Sequence, residues 1–303
     1  MLLRVPRQLI GAEVRGLPPA DDDGLVTIAL HRDGESVRAI EPAPAGATGP
    51  IAITPPVEPH AHLDKTFSYG QFPNPGGTMD GALAANLREF EQRSAAQVQQ
   101  RSEQALQQAW HYGLRAIRSH IDSGSGAGSE ASWEVLLEQQ RRWAGRIALQ
   151  LVALVPIAHW LSPEGEALAR RVAAAGGLLG GVLGPPFGHG RQDGAAVRRL
   201  LALADQLGVG VDLHVDEGEQ EPGMGVRQVV ACARQVRPEV PICCSHASSM
   251  GLLDAAACDR LAEQMAAAGL AVIALPRPNL WLLGRRSGQT PWVRAQAPIR
   301  PLQ

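Results

Sequence analysis

A His-x-His pair at the end of a strand-like segment is the clearest chemical signal in the sequence. His60 and His62 lie at the end of the apolar segment 51–59. Side chains two residues apart on an extended strand project from the same face, so both imidazoles can bind one metal ion. Close histidines also occur in protein cores without any ligand. The pair alone therefore predicts half of a metal site.

Other apolar segments also end in candidate ligands. Three of them finish with a histidine next to a carboxylate or hydroxyl group, namely 117–122 with His120, 211–217 with His214 and 242–246 with His246. When several strands deliver such side chains at their ends, a parallel barrel collects them at one face. The pattern predicts one shared site.

The types of these side chains suit hydrolysis by an activated water. A metal ion that activates water needs firm ligands, an open position and a nearby acid or base. His60, His62 and His214 are the predicted ligands. Glu217, three residues after His214, is the predicted proton shuttle. His246 is predicted to hydrogen-bond the activated water.

From about residue 51 onward, strand-like and helix-like segments alternate, which is typical of βα units around a parallel sheet. Strands are expected near 51–53, 114–121, 147–155, 178–183, 209–215, 240–245 and 270–275. Helices are expected over 95–112, 131–144, 162–175, 193–207, 223–236 and about 251–268. A closed TIM-type barrel needs one strand more than this. The predicted fold class is therefore α/β, a TIM-type (β/α) barrel that lacks its eighth strand.

The first part of the chain is predicted to form a separate β unit. Segment 24–30 alternates in polarity, and 35–40 follows a turn. The proline-rich segment 41–46 breaks this pattern and is interpreted as a connector. We therefore expect a small N-terminal β domain over 1–50, part of a composite sandwich, and an incomplete hydrolase barrel over 51–303.

Bulk composition is that of a soluble globular protein. Of 303 residues, 45% are hydrophobic and 19% are charged, and the net charge is -2. Without a long basic run, nucleic acid and anionic membranes are poor partners, and a small-molecule substrate fits better. No apolar segment approaches the ~18 residues that span a bilayer, and the N-terminus lacks a secretory signal, so we expect a cytoplasmic protein.

Lysine usage favours a site for one metal ion. Hydrolases that bridge two metal ions through a carbamylated lysine need that lysine on a middle strand. Lys65 is the only lysine, and it follows the His-x-His pair closely. The four cysteines have no Cys-x-x-Cys spacing and are expected to be reduced apolar filler.

Four segments, taken in order, resemble the cytosine deaminase branch of the amidohydrolase superfamily. They are 58–65, 212–217, 245–246 and 279–285. The resemblance runs from about residue 51 to the C-terminus, and the N-terminal β unit is similar to the small sandwich domain of that family. It implies one divalent metal ion, iron or zinc, held by the histidine pair and His214. It also implies that Glu217 shuttles the proton and that His246 assists the attacking water.

Two departures from the family pattern bear on the activity. The family's fourth metal ligand is an aspartate at the end of the eighth strand, a region that would begin where this sequence ends. Pro156 stands at the position of the family's substrate-binding glutamine. Because proline has no amide side chain, this argues against cytosine itself as the substrate.

Further residues are predicted to contact the substrate or to shape its pocket, and these are Asp64, Lys65, His120, Asp122, Asn279 and Arg285. For Asp64 and Lys65 the competing interpretation is an ion pair on a surface loop. For His120 and Asp122 it is a role in shaping the pocket alone.

The sequence thus predicts a metal-dependent amidohydrolase or deaminase that hydrolyses a C–N bond of a small nitrogen heterocycle or a related compound. The alternative is a truncated relative that keeps the fold without the full metal site and is weakly active or inactive. An open barrel would expose the edges of its first and last strands unless another chain covered them. A homo-oligomer is therefore considered as well.

Overall fold

Three antiparallel strands form the sheet of the N-terminal unit. They are β1 (Leu2–Pro6), β2 (Leu25–Asp33) and β3 (Ser36–Pro42), and they pair in that order. Buried Ile10, Val26 and Ile28 form a small core. β2 and β3 coincide with the predicted strands, whereas β1 lies outside them.

The computed structural model describes residues 1–184, 191–286, 288–290 and 293–303. The chain divides into two units, Met1–Pro56 and Val57–Gln303. The first unit extends beyond residue 50 because Ile51 still bridges to Arg4, and the backbone N–H of Ala52 donates to the Arg4 carbonyl.

A seven-stranded parallel sheet forms the centre of the second unit. Its strands are β4 (Val57–Ala61), β5 (Ala116–Asp122), β6 (Ala148–Leu154), β7 (Leu178–Leu183), β8 (Val211–Val215), β9 (Ile242–His246) and β10 (Leu270–Ile273). Their order in the sheet is their order in the chain. Parallel neighbours need crossover connections, so the sheet is built from successive βα units. The fold is α/β, as predicted.

Helices connect these strands. They are α1 (Met79–Gln92), α2 (Ala95–His111), α3 (Ala127–Trp143), α4 (Pro163–Ala174), α5 (Arg191–Leu207), α6 (Met224–Val236), α7 (Ala255–Ala267) and α8 (Pro276–Leu282). Ser94 caps α2 in a capping box with Gln97, and Ser162 and Asp254 cap α4 and α7. In the part of the chain that the structure describes, no helix is both long and apolar enough to cross a membrane.

The position of the first strand of the parallel sheet differs from the sequence-based prediction. The prediction that 51–53 forms a strand of this sheet is wrong. That segment belongs to the N-terminal unit, and β4 starts at Val57. Pro55 and Pro56 lack an amide hydrogen and cannot donate to a sheet ladder, so the strand begins after them. Helices α1 and α8 are not among the predicted helices. α8 starts at Pro276, in the first turn where proline is tolerated.

Close packing of β7 against β8 fixes the strand that carries His214. All residues of β8 are buried. A Cβ atom added at Gly180 on β7 would lie 2.5 Å from the backbone oxygen of Asp212 and 2.7 Å from that of Ala153. Glycine at this position therefore allows the two neighbouring strands to approach.

Gly180→Ala is expected to lower the free energy of unfolding by about 1–3 kcal/mol. The added methyl group meets backbone oxygens, which cannot rotate away as a flexible side chain could. Urea unfolding followed by circular dichroism measures the change. Gly184→Ala is the matched control, because a Cβ atom there meets no atom of the described residues within 4 Å. Equal stability of the two variants would contradict the close packing.

Candidate active site

Five histidine side chains converge at the carboxyl-terminal ends of β4, β5, β8 and β9. The ring centroids of His120, His214, His62 and His246 lie 4.2, 4.5, 5.2 and 5.2 Å from that of His60. The structure thus brings the predicted ligands together with His246. It also adds His120, which was predicted as a substrate contact, to the same cluster.

Pairs of imidazole nitrogens in this cluster are spaced as two ligands of one metal ion would be. Nε2 of His62 lies 3.3 Å from Nε2 of His214. Two nitrogen ligands of a tetrahedral zinc ion, each about 2.0–2.1 Å from the metal, lie about 3.4 Å apart. In the described residues, two groups offer ligand atoms that all lie within 4.8 Å of one another. They are His60 with His214 and His246, and His60 with His120 and Asp212, and the predicted ligand His62 belongs to neither. The donor set therefore fits a divalent metal ion.

Several of these nitrogens are buried without a partner. Among the described residues, Nδ1 of His62, Nδ1 of His214, Nε2 of His246 and both ring nitrogens of His120 have no hydrogen bond. Buried polar atoms in native proteins are nearly always paired, so such a group of exceptions is where water, a ligand or an ion would be expected.

Burial keeps the imidazoles neutral. Removal from water lowers the pKa of His60 to about 4 and that of His246 to about 3. It also holds the pKa of His62 and of His214 well below the usual range, and the positive charge of Lys65 acts in the same direction. A neutral imidazole is the form that binds a metal ion.

Left-handed backbone directs His246 into the site. Ser245 and His246 are consecutive, yet Oγ of Ser245 lies 2.9 Å from Nδ1 of His60 and the His246 ring lies beside the same imidazole. In a regular strand, consecutive side chains point to opposite faces. His246 has φ 71°, an uncommon conformation for a residue other than glycine. This conformation turns its side chain toward the histidine cluster.

Glu217 reaches the site through a second left-handed residue. Asp216 has φ 55°, and its carboxylate accepts hydrogen bonds from the backbone N–H groups of Gly225 and Val226 at the start of α6, at 2.8 and 3.0 Å. The chain then places Oε1 of Glu217 3.3 Å from Nδ1 of His246. Burial raises the pKa of Glu217 to about 7, opposed in part by the charge of Lys65. Such a carboxyl group can both accept and donate a proton near neutral pH.

A buried ionic cluster adjoins the His-x-His pair. Nζ of Lys65 lies 2.9 Å from Oδ1 of Asp122. The guanidinium of Arg93 lies 2.9 Å from Oδ2 of Asp64 and 2.9 Å from Oδ2 of Asp122, and it also pairs with Glu89. The side chains of Arg93 and Asp64 are fully buried. The cluster joins α1 and the residue that follows it to the ends of β4 and β5.

The predicted substrate contacts occupy different surroundings. Asn279 adjoins the histidines, with Nδ2 3.1 Å from Nδ1 of His246. Lys65 and Asp122 form an ion pair whose side chains are only 18% and 17% exposed, so it is not the surface pair considered from the sequence. Asp64 is fully buried and forms an ion pair with Arg93, which favours a structural role for Asp64 over contact with a substrate.

Helix α8 presents a second group of side chains. Arg285, just after the helix, stacks on Trp281 with its guanidinium carbon 4.3 Å from the ring centroid. Trp281 and Leu282 line a mostly apolar cavity of about 340 Å³ together with Tyr69 and Phe72. The segment that carries Asn279 thus also lines an aromatic cavity.

Several residues of the site are missed by the sequence reasoning. Arg93 follows a helix that was not predicted. Arg118 and Asp212 precede His120 and His214 by two residues, so their strand parity places them on the same face. That periodicity was the one signal in the sequence that could have identified them.

Comparison with known proteins identifies several similar hydrolases. No protein-family model matches the chain. A pterin deaminase from Rhizobium rhizogenes (strain K84 / ATCC BAA-868) is 34% identical over 236 residues, which are 77% of this chain and 52% of that protein. The crystal structure of 5-methylcytosine deaminase from Klebsiella pneumoniae with 5-fluorocytosine matches with a TM-score of 0.78 and 25% identity, over 100% of this chain and 72% of that one. N-isopropylammelide isopropylaminohydrolase from Burkholderia multivorans ATCC 17616 matches with a TM-score of 0.66 and 25% identity, over 93% and 70%.

These similar proteins indicate the deaminase-like branch of the amidohydrolase superfamily. The resemblance found in four sequence segments is confirmed. The chain spans about half the length of the pterin deaminase that it matches.

Removing Arg93 is expected to destabilise the fold strongly. Arg93→Met leaves the carboxylate of Asp64 buried without its ion-pair partner, which typically costs about 3–5 kcal/mol, whereas Glu89 keeps its pair with Arg101. Urea unfolding gives the value. Arg141→Met removes an exposed pair with Glu138 instead, and should change stability little. A loss no greater than that of this control would show that the cluster contributes nothing to the fold.

Proposed function

We propose that this chain is the catalytic part of a metal-dependent amidohydrolase that hydrolyses a C–N bond of a small nitrogen heterocycle. The observation that carries the proposal is the convergence of neutral histidines, with Nε2 of His62 and Nε2 of His214 3.3 Å apart, beside the partly buried carboxyl group of Glu217. Deaminases and an aminohydrolase among the similar proteins support the same class of reaction.

The proposed architecture is a TIM-type (β/α) barrel. Seven parallel strands in chain order support it, as does the position of the histidines at the carboxyl ends of the strands, where the active sites of such barrels lie. β4 and β10 are the edges of the sheet in the described residues. In a closed barrel an eighth strand would join them.

His60, His62 and His214 are the proposed ligands of one divalent ion, iron or zinc. When bound, such an ion supplies Lewis-acid activation and lowers the pKa of water toward about 7. The protein's own part is to hold three neutral imidazoles at the right spacing and to keep bulk water away from them. Their low pKa values mean that protons do not compete for the nitrogens near neutral pH.

Glu217 is the proposed proton shuttle. In the net reaction a C–O bond forms to water and the C–N bond breaks, while the two protons of the water end on the ring nitrogen and the departing amine. Glu217 takes a proton from the attacking water and returns it to a substrate nitrogen. Its pKa of about 7 suits both transfers, because the two forms are then similarly populated at neutral pH.

His246 is the proposed partner of the attacking water. Burial keeps its ring neutral, and Nδ1 lies 3.1 Å from Nδ2 of Asn279 and 3.3 Å from Oε1 of Glu217. These contacts limit rotation of the imidazole. The ring is therefore held in one orientation next to the carboxyl group that moves the proton.

The proposed substrate is a planar nitrogen heterocycle. His120, Asn279 and the Lys65–Asp122 pair supply polar groups for it, and the aromatic cavity next to α8 offers room for a flat ring or substituent. Arg285 stacks on the wall of that cavity. Pterin, 5-methylcytosine and N-isopropylammelide, which the similar proteins are named for, are all such compounds. Pro156 offers no amide for cytosine itself.

Glu217→Gln separates metal binding from turnover. The isosteric amide cannot shuttle a proton, so ammonia release from a panel of pterins, pyrimidines and triazines should fall by about 10²–10⁴-fold. Metal content, measured by mass spectrometry, should remain close to one ion per chain. Glu221→Gln, at an exposed position in the following loop, is the matched control and should retain the wild-type rate.

Two outcomes would contradict the proposal. Unchanged turnover in Glu217→Gln would remove this residue from the mechanism. Folded wild-type protein that binds neither iron nor zinc and releases no ammonia from any compound of the panel would favour the inactive relative that the sequence leaves as the alternative.

A further inference from the structure

A buried chain of hydrogen bonds leads from Arg118 to the ring of His60. Nη1 of Arg118 donates to Oδ2 of Asp212 at 2.6 Å. Oγ of Ser245 donates to Oδ1 of the same carboxylate at 2.7 Å and lies 2.9 Å from Nδ1 of His60. The side chains of Asp212 and Ser245 are fully buried, whereas that of Arg118 is 25% exposed.

The available donors fix the direction of every hydrogen bond between Arg118 and His60. A guanidinium can only donate, and an ionised carboxylate can only accept. Because Ser245 has a single hydroxyl hydrogen and gives it to Asp212, its oxygen is left to accept at the His60 side. The proton of that last bond must therefore come from His60, on Nδ1. A neutral imidazole with a proton on Nδ1 has a free lone pair on Nε2.

We propose that Asp212 and Ser245 are positioning residues that hold His60 in the Nδ1–H tautomer, with the lone pair of Nε2 presented to the metal ion. The inference rests on the proposed function for the identity of the ligand, but the tautomer itself is a property of the metal-free chain. The hydroxyl of Ser245 passes the influence of the carboxylate to the imidazole.

No other group competes for control of this ring in the described residues. The other histidines contact His60 through their rings and form no hydrogen bond to its Nδ1. Nε2 of His120 lies 3.8 Å from Oδ2 of Asp212, too far for a hydrogen bond. In the described residues, the hydrogen-bonded connection between Asp212 and His60 therefore runs through Ser245.

Asp212→Asn should reverse the tautomer. The carbonyl oxygen of the new side chain would remain next to Arg118, which only donates, so its NH₂ group would face Ser245. Ser245 would then accept from that group and donate to Nδ1 of His60. The ring proton would move to Nε2, where it blocks the proposed ligand position.

Nitrogen-15 NMR of the full-length, metal-free chain labelled at histidine reads the tautomer directly. The chain has nine histidines, and the His60 signals are assigned by their loss in His60→Gln. The wild type should carry its proton on Nδ1, and Asp212→Asn should carry it on Nε2. A wild-type proton on Nε2, or the same tautomer in both proteins, would overturn the inference.

Zinc affinity, measured by competition with a chelator, provides the second readout. Ser245→Ala and Asp212→Asn should weaken zinc binding by about 10–100-fold. Ser245→Thr keeps the hydroxyl and should restore most of the affinity. Ser123→Ala removes another buried hydroxyl at a strand end, one that contacts Trp133 and the Ile121 carbonyl instead of a histidine, and should leave the affinity unchanged.

The two readouts separate the inference from the proposed function. Failure of the wild type to bind zinc or iron would contradict the proposed function, while the NMR result would still decide the tautomer. Equal loss of zinc affinity in Ser245→Ala and Ser123→Ala would show a general effect of stability and would overturn the role of Ser245.

Discussion

Burial of the histidine cluster away from water is the constraint that determines the chemistry of the site. A polar atom buried without a partner costs about 1–3 kcal/mol, and the cluster contains several such nitrogens among the described residues. The apolar core around the seven-stranded sheet offsets this cost. The same burial lowers the pKa of His60 and raises that of Glu217. One physical cause therefore favours neutral imidazoles and brings the pKa of Glu217 close to neutral pH.

The site also depends on local backbone that a regular strand would not provide. Positive φ at His246 and Asp216 directs His246 and Glu217 to the same point as the strand histidines. Such conformations persist where surrounding contacts hold them. Here the carboxylate of Asp216 caps the start of α6. The buried pairing of Arg93 with Asp64 and Asp122 likewise fixes the loop that carries Lys65.

The order of the strands and the convergence of the histidines at their ends could be predicted because they depend on short-range periodicity. Alternating apolar segments located β5 to β10, and strand parity placed His60 and His62 on one face. Other features depend on contacts that no local pattern encodes. The turn of His246 follows from its φ, and the position of Arg93 requires α1. The influence of Asp212 on His60 passes through a residue on a different strand. The start of β4 and the presence of α8 could not be predicted from their proline-rich segments. Proline occurs both where a regular element is interrupted and in the first turn of a helix.

We propose that three neutral imidazoles at the carboxyl ends of β4 and β8 form one metal site. A crystal structure of the zinc-loaded chain, with anomalous data collected at the zinc edge, tests it most directly. We expect one zinc ion about 2.0–2.1 Å from Nε2 of His60, His62 and His214. Nδ1 of His60 should remain hydrogen-bonded to Ser245. Zinc bound elsewhere, or bound through Nδ1 of His60, would contradict the account.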